Sequence, residues 1–284
     1  MALIERIELK RPDQIRLMRR AGLVVAEALA AMGEALRPGI STGDLDEIAR
    51  DVLAAHGATS NFLNYGADWG FTPYPAVVCV SVNEEIVHGI PGSRTVQAGD
   101  VVSVDFGAVV EGWHGDAART FVVGDPNADD AALIEATRRA MWAGIAAAHH
   151  GKRIGDVSAA IERSIAGSGR AGGHDFGIVR DYTGHGIGTA MHMAPDVPNY
   201  GRAGRGAKLT AGMCLAIEPM LTLGRERTVT LDDDWTVVTA DSSRAAHWEN
   251  TVAVTPDGLW VLTEPDGGRA ELEALGVPVS SLAD

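Results

Sequence analysis

An α+β fold built from two similar halves is predicted by three observations. Helix-period segments come in pairs, each pair is followed by strand-period runs, and short motifs of the first half recur in the second. The first helix is set by Ile15, Met18, Val25, Leu29, Met32 and Leu36, which recur at steps of three, four or seven until Pro38-Gly39 breaks the pattern. A second covers about Thr42 to His56 and stops at Gly57, and two more are expected at about Asp129 to His149 and Gly155 to Ala166. Strand-type runs are Ala76 to Val82, Val101 to Val110, Trp113 to Val123, Met213 to Ile217, Thr228 to Leu231, Thr236 to Thr239 and Glu249 to Val254. Gly43-Asp44-Leu45 returns as Gly155-Asp156-Val157, Ala98-Gly99 precedes Asp105 as Ala211-Gly212 precedes Glu218, and His88-Gly89-Ile90 returns as His185-Gly186-Ile187. Neither half has strands enough to cover a sheet alone. A single catalytic domain over residues 1–284 is expected, with halves at about 12–125 and 126–263 packed pseudo-symmetrically and the chemistry at their seam.

Composition removes several classes of function. With 284 residues, 46% hydrophobic and 22% charged at a mean hydropathy of +0.03, the chain can bury a large core, and its 34 glycines follow no period, which excludes disorder and collagen. No apolar run approaches the roughly 20 residues of a membrane span, since even Ala21 to Met32 contains Glu27, so no membrane partner is expected. Met1 to Glu8 alternates charged with apolar residues where an export signal would be continuously apolar. Cys79 and Cys214 are too few for a disulfide framework or a thiolate zinc site, and a cytoplasmic location is expected. The net charge of −14 repels a phosphate backbone, so nucleic acid is not expected as a partner.

The chemistry is carried by carboxylates and imidazoles. Val101 to Val123 reads as a hairpin turning at Glu111-Gly112, which pairs Gly107 with Asp116 and Asp105 with Ala118. Asp105 and Asp116 are then diagonal neighbours on one face, with Cα atoms about 7 to 8 Å apart. An isolated Asp pair is ordinarily a solvated hairpin face. Here Val101, Val102, Val104, Phe106, Val109 and Val110 surround it, so the pair is expected in the core, where two anions require a cation. His185 and His192 stand seven apart in a glycine-rich run, a parity that no single straight strand presents on one face, so a bend is expected between them. The glycines beside His185 are read as letting the backbone approach a ligand. His56, His114, His149, His150, His174 and His247 are left as ordinary core or surface histidines. Glu218 ends the apolar run Cys214 to Ile217 and Glu249 opens another, and glutamates in such places are seldom structural. One imidazole and four carboxylates suit two divalent ions about 3.5 to 4 Å apart, of a kind that takes mostly oxygen ligands: manganese, cobalt, iron or zinc.

Five ordered motifs carry a family resemblance: the run Cys79 to Pro91, Gly112-Trp113-His114-Gly115-Asp116, Gly184-His185-Gly186-Ile187-Gly188, Ile217-Glu218-Pro219-Met220 and Glu249-Asn250-Thr251. Over residues 12 to 263 the chain resembles the type I methionine aminopeptidases in their short bacterial form. The resemblance implies the pseudo-symmetric pita-bread fold, a central antiparallel sheet covered by helices, and removal of initiator methionine from nascent chains when the second residue is small. By position, Asp116 and Glu249 resemble the carboxylates that bridge both ions, Asp105 a ligand of one, and His185 with Glu218 the ligands of the other. Glu218 would also move the proton, and His88 and His192 resemble the catalytic histidines that are not ligands. Phe71, Tyr74, Cys79, Met191 and Trp235 are implied as the methionine pocket, an apolar, polarizable lining suited to a thioether. Nascent-chain N-termini near the ribosome exit are the implied partner, and a monomer the implied state.

The chain departs from the family in three places. Met193-Ala194 follow His192 where acidic residues are usual, Gly107 and Ala216 replace threonines behind the ligands, and the segment Asn64 to Thr72, with Trp69, is longer than usual. Two other readings compete. A prolidase-like enzyme of the same fold would normally carry an additional N-terminal domain, and a metal-free relative acting as a binding protein would have lost ligands, whereas all five are present.

Overall fold

The structure, a computed structural model, describes residues 6–283, so the first five residues of the Met1 to Glu8 reading, and Asp284, lie outside them. In chain order the elements are α1 (Pro12–Ala35), α2 (Thr42–His56), β1 (Thr59–Ser60), β2 (Val78–Val82), β3 (Glu85–Val87), β4 (Val101–Val110), β5 (Trp113–Val122), α3 (Ala128–Ala146) and α4 (Ile154–Gly172). They continue with β6 (Gly177–Ile178), β7 (Gly184–Gly186), β8 (Met193–Val197), β9 (Cys214–Ile217), β10 (Met220–Thr222), β11 (Thr228–Thr230), β12 (Val237–Thr239), β13 (Ala245–His247), β14 (Asn250–Val254), β15 (Leu259–Val261) and α5 (Arg269–Ala274). The four long helices and seven expected strands are all present. β1, β3, β6, β7, β8, β10, β13 and β15 are additional, and at two to five residues they are too short to show a period.

Local chemistry sets the boundaries. Pro12 occupies the first turn of α1, where its missing N–H costs nothing, and Ser41 with Asp44 forms a reciprocal cap on α2, which ends at Gly57 in the left-handed conformation. The recurring Gly-Asp pairs do equivalent work. Asp44 accepts from the Ser41 N–H and Asp156 from the Arg153 N–H, while the N–H groups of Gly43 and Gly155 donate to the carbonyls of Gly92 and Arg205.

Each helix pair covers one antiparallel sheet. In the first half β4 lies between β2 and β5 with β1 also at its edge, and Val25, Leu29 and Met32 of α1 pack with Val80, Val104 and Phe106. In the second half the order is β15-β14-β9-β7-β8, and Met141, Ile145 and Ile161 pack with Leu215, Ile217 and Val252.

The two sheets meet where β5 passes the segment before β14. Ala118 and Glu249 exchange both backbone hydrogen bonds, at 3.3 and 3.0 Å. On either side of that pair, hydroxyls take over from main chain. Thr251 Oγ1 donates to the Asp116 carbonyl at 2.8 Å and accepts its N–H at 3.1 Å, and Thr120 Oγ1 does the same for His247 at 2.7 and 2.9 Å. Arg119 spans the junction, its guanidinium donating to the carbonyls of Ala118 and Glu249 and to Asn250 and Glu264. Beneath it, α1 approaches closely because Gly22 and Gly115 carry no side chains. A Cβ on Gly115 would lie 2.8 Å from the Gly22 nitrogen, and one on Gly22 would lie 2.1 Å from the Leu262 carbonyl oxygen.

Thr251→Val, nearly isosteric, removes the only side-chain partner that the structure gives the Asp116 main chain across the junction. It should lower unfolding free energy by about 1 to 3 kcal/mol, the cost of stranding buried polar groups, measured by denaturant titration of chelated protein.

Candidate metal centre

Strand register assembles the site. Cys79 pairs with Asp105, Asp105 with Ala118, Ala118 with Glu249 across the junction, Asn250 with Ile217, and Ala216 with His185. These pairings make one row across both sheets. Because side chains alternate, Asp105, Asp116, Glu249, Glu218 and His185 all face one side of it, and all five line one cleft of about 380 Å³. The Glu111-Gly112 turn has positive φ at both residues, 51° and 79°, and the hairpin register is the one expected.

Ligand atoms of Asp116, His185 and Glu249 lie within 4.8 Å of one another. His185 Nδ1–H donates to the Gly186 carbonyl at 3.0 Å, which leaves the Nε2 lone pair facing the cluster, 3.4 Å from Glu218 Oε1. Glu218 Oε2 lies 3.7 Å from His247 Nε2. Buried oxygens of Asp105, Asp116 and Glu249 have no hydrogen-bond partner among the described residues. Burial, reinforced by the neighbouring carboxylates, holds Asp105, Glu218 and Glu249 well above the usual carboxylate range, and burial pushes Asp116 up to about 7. Burial pushes His185 and His247 down to about 3 and His88 and His192 down to about 4, so all four imidazoles are neutral at pH 7. Orphaned carboxylate oxygens and a neutral imidazole, converging from both halves, form a divalent cation site.

The bend expected between His185 and His192 is present. β7 and β8 flank it, and the two rings meet edge to face with centroids 4.3 Å apart. Its glycines serve a different purpose from the one expected. Cβ atoms on Gly184 and Gly186 would lie 2.4 and 2.2 Å from the carbonyl oxygens of Ala216 and Ala194, so these residues admit neighbouring main chain rather than a ligand. Tyr65 hydroxyl meets His192 Nδ1 at 2.5 Å. Burial raises the Tyr65 pKa, so the phenol keeps its proton beside His192. Gly107 is explained by Asn61, whose amide fills the space a side chain would need and bonds Gly115 and His114.

Of the residues expected to hold a methionine side chain, Tyr74, Cys79, Met191 and Trp235 line the cleft, joined by Phe62 and Tyr65, which were not expected. Phe71 does not join them. It is 68% exposed and lines an adjoining outer cavity, because the long loop turns it outward between Gly70 and Thr72. His247 was left as an ordinary histidine and is in the cleft. The signal for it was its position two residues before Glu249, which strand alternation places on the same face.

The model of metallopeptidase family M24 matches residues 16–256. Methionine aminopeptidase 1 of Mycobacterium tuberculosis is 56% identical over 247 residues, covering 87% of this chain and 91% of that protein. Methionine aminopeptidase of Clostridium perfringens is 46% identical over 90% of this chain and 98% of its own. The crystal structure of methionine aminopeptidase from Thermotoga maritima superposes with a TM-score of 0.85 at 39% identity, covering 91% of this chain and all of that one. Prolidase from Pyrococcus furiosus shares the fold at 20% identity and a TM-score of 0.69.

Without a cation, Asp116 binds a proton in the fold that the unfolded chain has released between pH about 4 and 7, so the metal-free fold loses stability as pH rises through that window. A divalent ion replaces the proton and removes that loss. The rise in Tm on adding manganese should therefore widen from pH about 5.5 to 7.5, reaching about 5 °C or more at a hundredfold excess over Kd, as scanning calorimetry would read. A Tm gain that shrank with pH would contradict it.

Proposed function

The chain belongs to metallopeptidase family M24, and on that premise we propose that its cleft removes the amino-terminal methionine from peptides whose second residue is small. One observation carries the reading. The carboxylate–histidine cluster stands beside an apolar end walled by buried Phe62, Tyr74, Cys79 and Met191, so an uncharged, polarizable first side chain fits while the bond after it lies at the cluster. The fold is the pita-bread fold.

Two ions, of manganese, cobalt, iron or zinc, match the charge of four carboxylates. Asp116 and Glu249 would be shared between them, Asp105 would serve one, and His185 with Glu218 the other. Such ions supply Lewis acidity toward the scissile carbonyl and lower the pKa of water. Glu218, facing His185 and His247, accepts the proton of the attacking water and returns it to the leaving amine. His192 Nε2–H, held by Tyr65, donates to the carbonyl oxygen as negative charge develops. His88, packed edge-on against Tyr182 and Trp235, orients the amide after the first residue. The substrates would be nascent-chain N-termini, met in the cytoplasm near the ribosome exit, and the enzyme would act as a monomer of one catalytic domain.

A panel of Met-X-Ser peptides with added divalent ions tests the activity. Methionine release should be fast for X = Gly, Ala or Ser and at least tenfold slower for Leu, Lys or Arg, and should stop on chelation. Release of proline-linked residues in place of methionine would favour the prolidase reading.

The two histidines of the bend should separate. His185→Ala should weaken metal binding, with activity partly restored at high metal concentration, whereas His192→Ala should bind metal normally and lose about 10² to 10³ in kcat with little change in KM. Tyr65→Phe should lower kcat in the same sense by a smaller factor. Calorimetric metal titration beside steady-state kinetics distinguishes these outcomes.

A further inference from the structure

The cleft opens into a second cavity of about 610 Å³, and the two share Tyr65, His88, Tyr182 and Trp235 as a common wall. The outer cavity is bounded on one side by the loop carrying Trp69 and Phe71 and on the other by Thr230, Asp234 and Trp235. Trp69 and Phe71 are the two large aromatic side chains left exposed among the described residues, at 63% and 68%, and both stand on this bank.

The loop is built rather than loose. Asn64 N–H donates to the Tyr74 carbonyl and Tyr74 N–H to the Tyr65 carbonyl, closing its base at 2.8 and 3.0 Å. Gly66 and Gly70, with φ of 90° and 80°, bracket the short turn Ala67–Trp69, a conformation that other residues adopt only with strain. Thr72 Oγ1 donates to Asp234 Oδ2 at 2.6 Å and Trp235 Nε1–H donates to the Thr72 carbonyl at 2.9 Å, tying the two banks together. Trp69 packs edge-on against Tyr65, the residue that holds His192.

We propose that this outer cavity is a subsite for the third and fourth residues of the substrate, and that it selects apolar or aromatic side chains there. The inference rests on the reading of the cleft as an aminopeptidase site. The first side chain occupies the apolar end beside the cluster, and His88, assigned above to the amide after it, stands in the shared wall, so the chain beyond the scissile bond is directed past His88 and Tyr182 toward this cavity. A volume of this order accommodates a few residues of extended peptide. Aromatic faces on a preorganised loop bind apolar side chains with little ordering cost. Among the described residues the cavity has no lysine or arginine in its lining, and its carboxylate, Asp234, already accepts from Thr72, so acidic residues at these positions are disfavoured.

The test compares kcat/KM for Met-Ala-Phe-Phe, Met-Ala-Gly-Gly and Met-Ala-Asp-Asp with that for the dipeptide Met-Ala, in metal-loaded full-length protein and in Trp69→Ala and Phe71→Ala. In the unaltered protein the Phe-Phe peptide should exceed Gly-Gly by about three- to tenfold and Asp-Asp should fall below it. Either substitution should bring the Phe-Phe to Gly-Gly ratio near one while Met-Ala turnover is retained. Should loss of the Trp69 ring disturb Tyr65 and lower Met-Ala turnover, Phe71→Ala, which lines the outer cavity alone, decides the matter. Equal turnover of Phe-Phe and Gly-Gly peptides, or a preference that survives Phe71→Ala, overturns the subsite while leaving the activity standing. Failure to cleave any of the peptides, Met-Ala included, overturns the activity and the subsite with it.

Discussion

The backbone exchange between Ala118 and Glu249 is the contact on which the site depends. There two separately cored sheets become continuous, with Asp105 on one side of the junction and Glu249, Glu218 and His185 on the other. A slip of one residue at the junction would turn the second half's ligands to the opposite face, since side chains alternate with period two. The pairing is accordingly fixed from three directions. Thr120 and Thr251 bond main chain at either side of it, Arg119 clamps the carbonyls of Ala118 and Glu249, and α1 lies against β5 through Gly22 and Gly115.

Electrostatics gives the row a cost that register cannot remove. Four carboxylates in one buried cleft favour protonation, with Asp116 raising Asp105, Glu218 and Glu249, and Asp105 raising both glutamates. Arg119 is a cation that acts on Glu249. It is committed to main-chain carbonyls, Asn250 and Glu264, and so offsets little of the charge at Asp105 or Asp116. The centre therefore favours either protons or a divalent cation, and its carboxylates come from both halves. Occupancy by a cation thus strengthens the same junction that register builds.

Much of this was legible in the sequence because the row is made of long, regular strands. The Asp105–Ala118 pairing followed from the Glu111-Gly112 turn, and Glu218 and Glu249 were marked by apolar runs that begin or end at them. What escaped lies in short or irregular segments. His247 is separated from Glu249 by a break between β13 and β14 that hides its alternation. Phe62 and Tyr65 enter the cleft, and Phe71 leaves it, because the turns at Gly66 and Gly70 redirect a loop that has no period. The glycines around His185 were recognisable as a bend, but what they make room for, the carbonyls of Ala216 and Ala194, belongs to residues the sequence places well downstream.

The division between regular and irregular segments also divides chemistry from selection. The metal-facing groups are fixed by a register that a substitution at the cleft mouth leaves intact. The wall of the mouth, Tyr65, His88, Tyr182 and Trp235, comes from four segments that connect the strands. Loops of that kind tolerate changes of length at low energetic cost. The segment Asn64 to Thr72 shows the consequence, because it carries the rings of Trp69 and Phe71 on the outer cavity while its Tyr65 meets His192. Bond cleavage and preference for the chain beyond the bond are therefore free to vary separately on this fold, with Tyr65 as the residue that belongs to both.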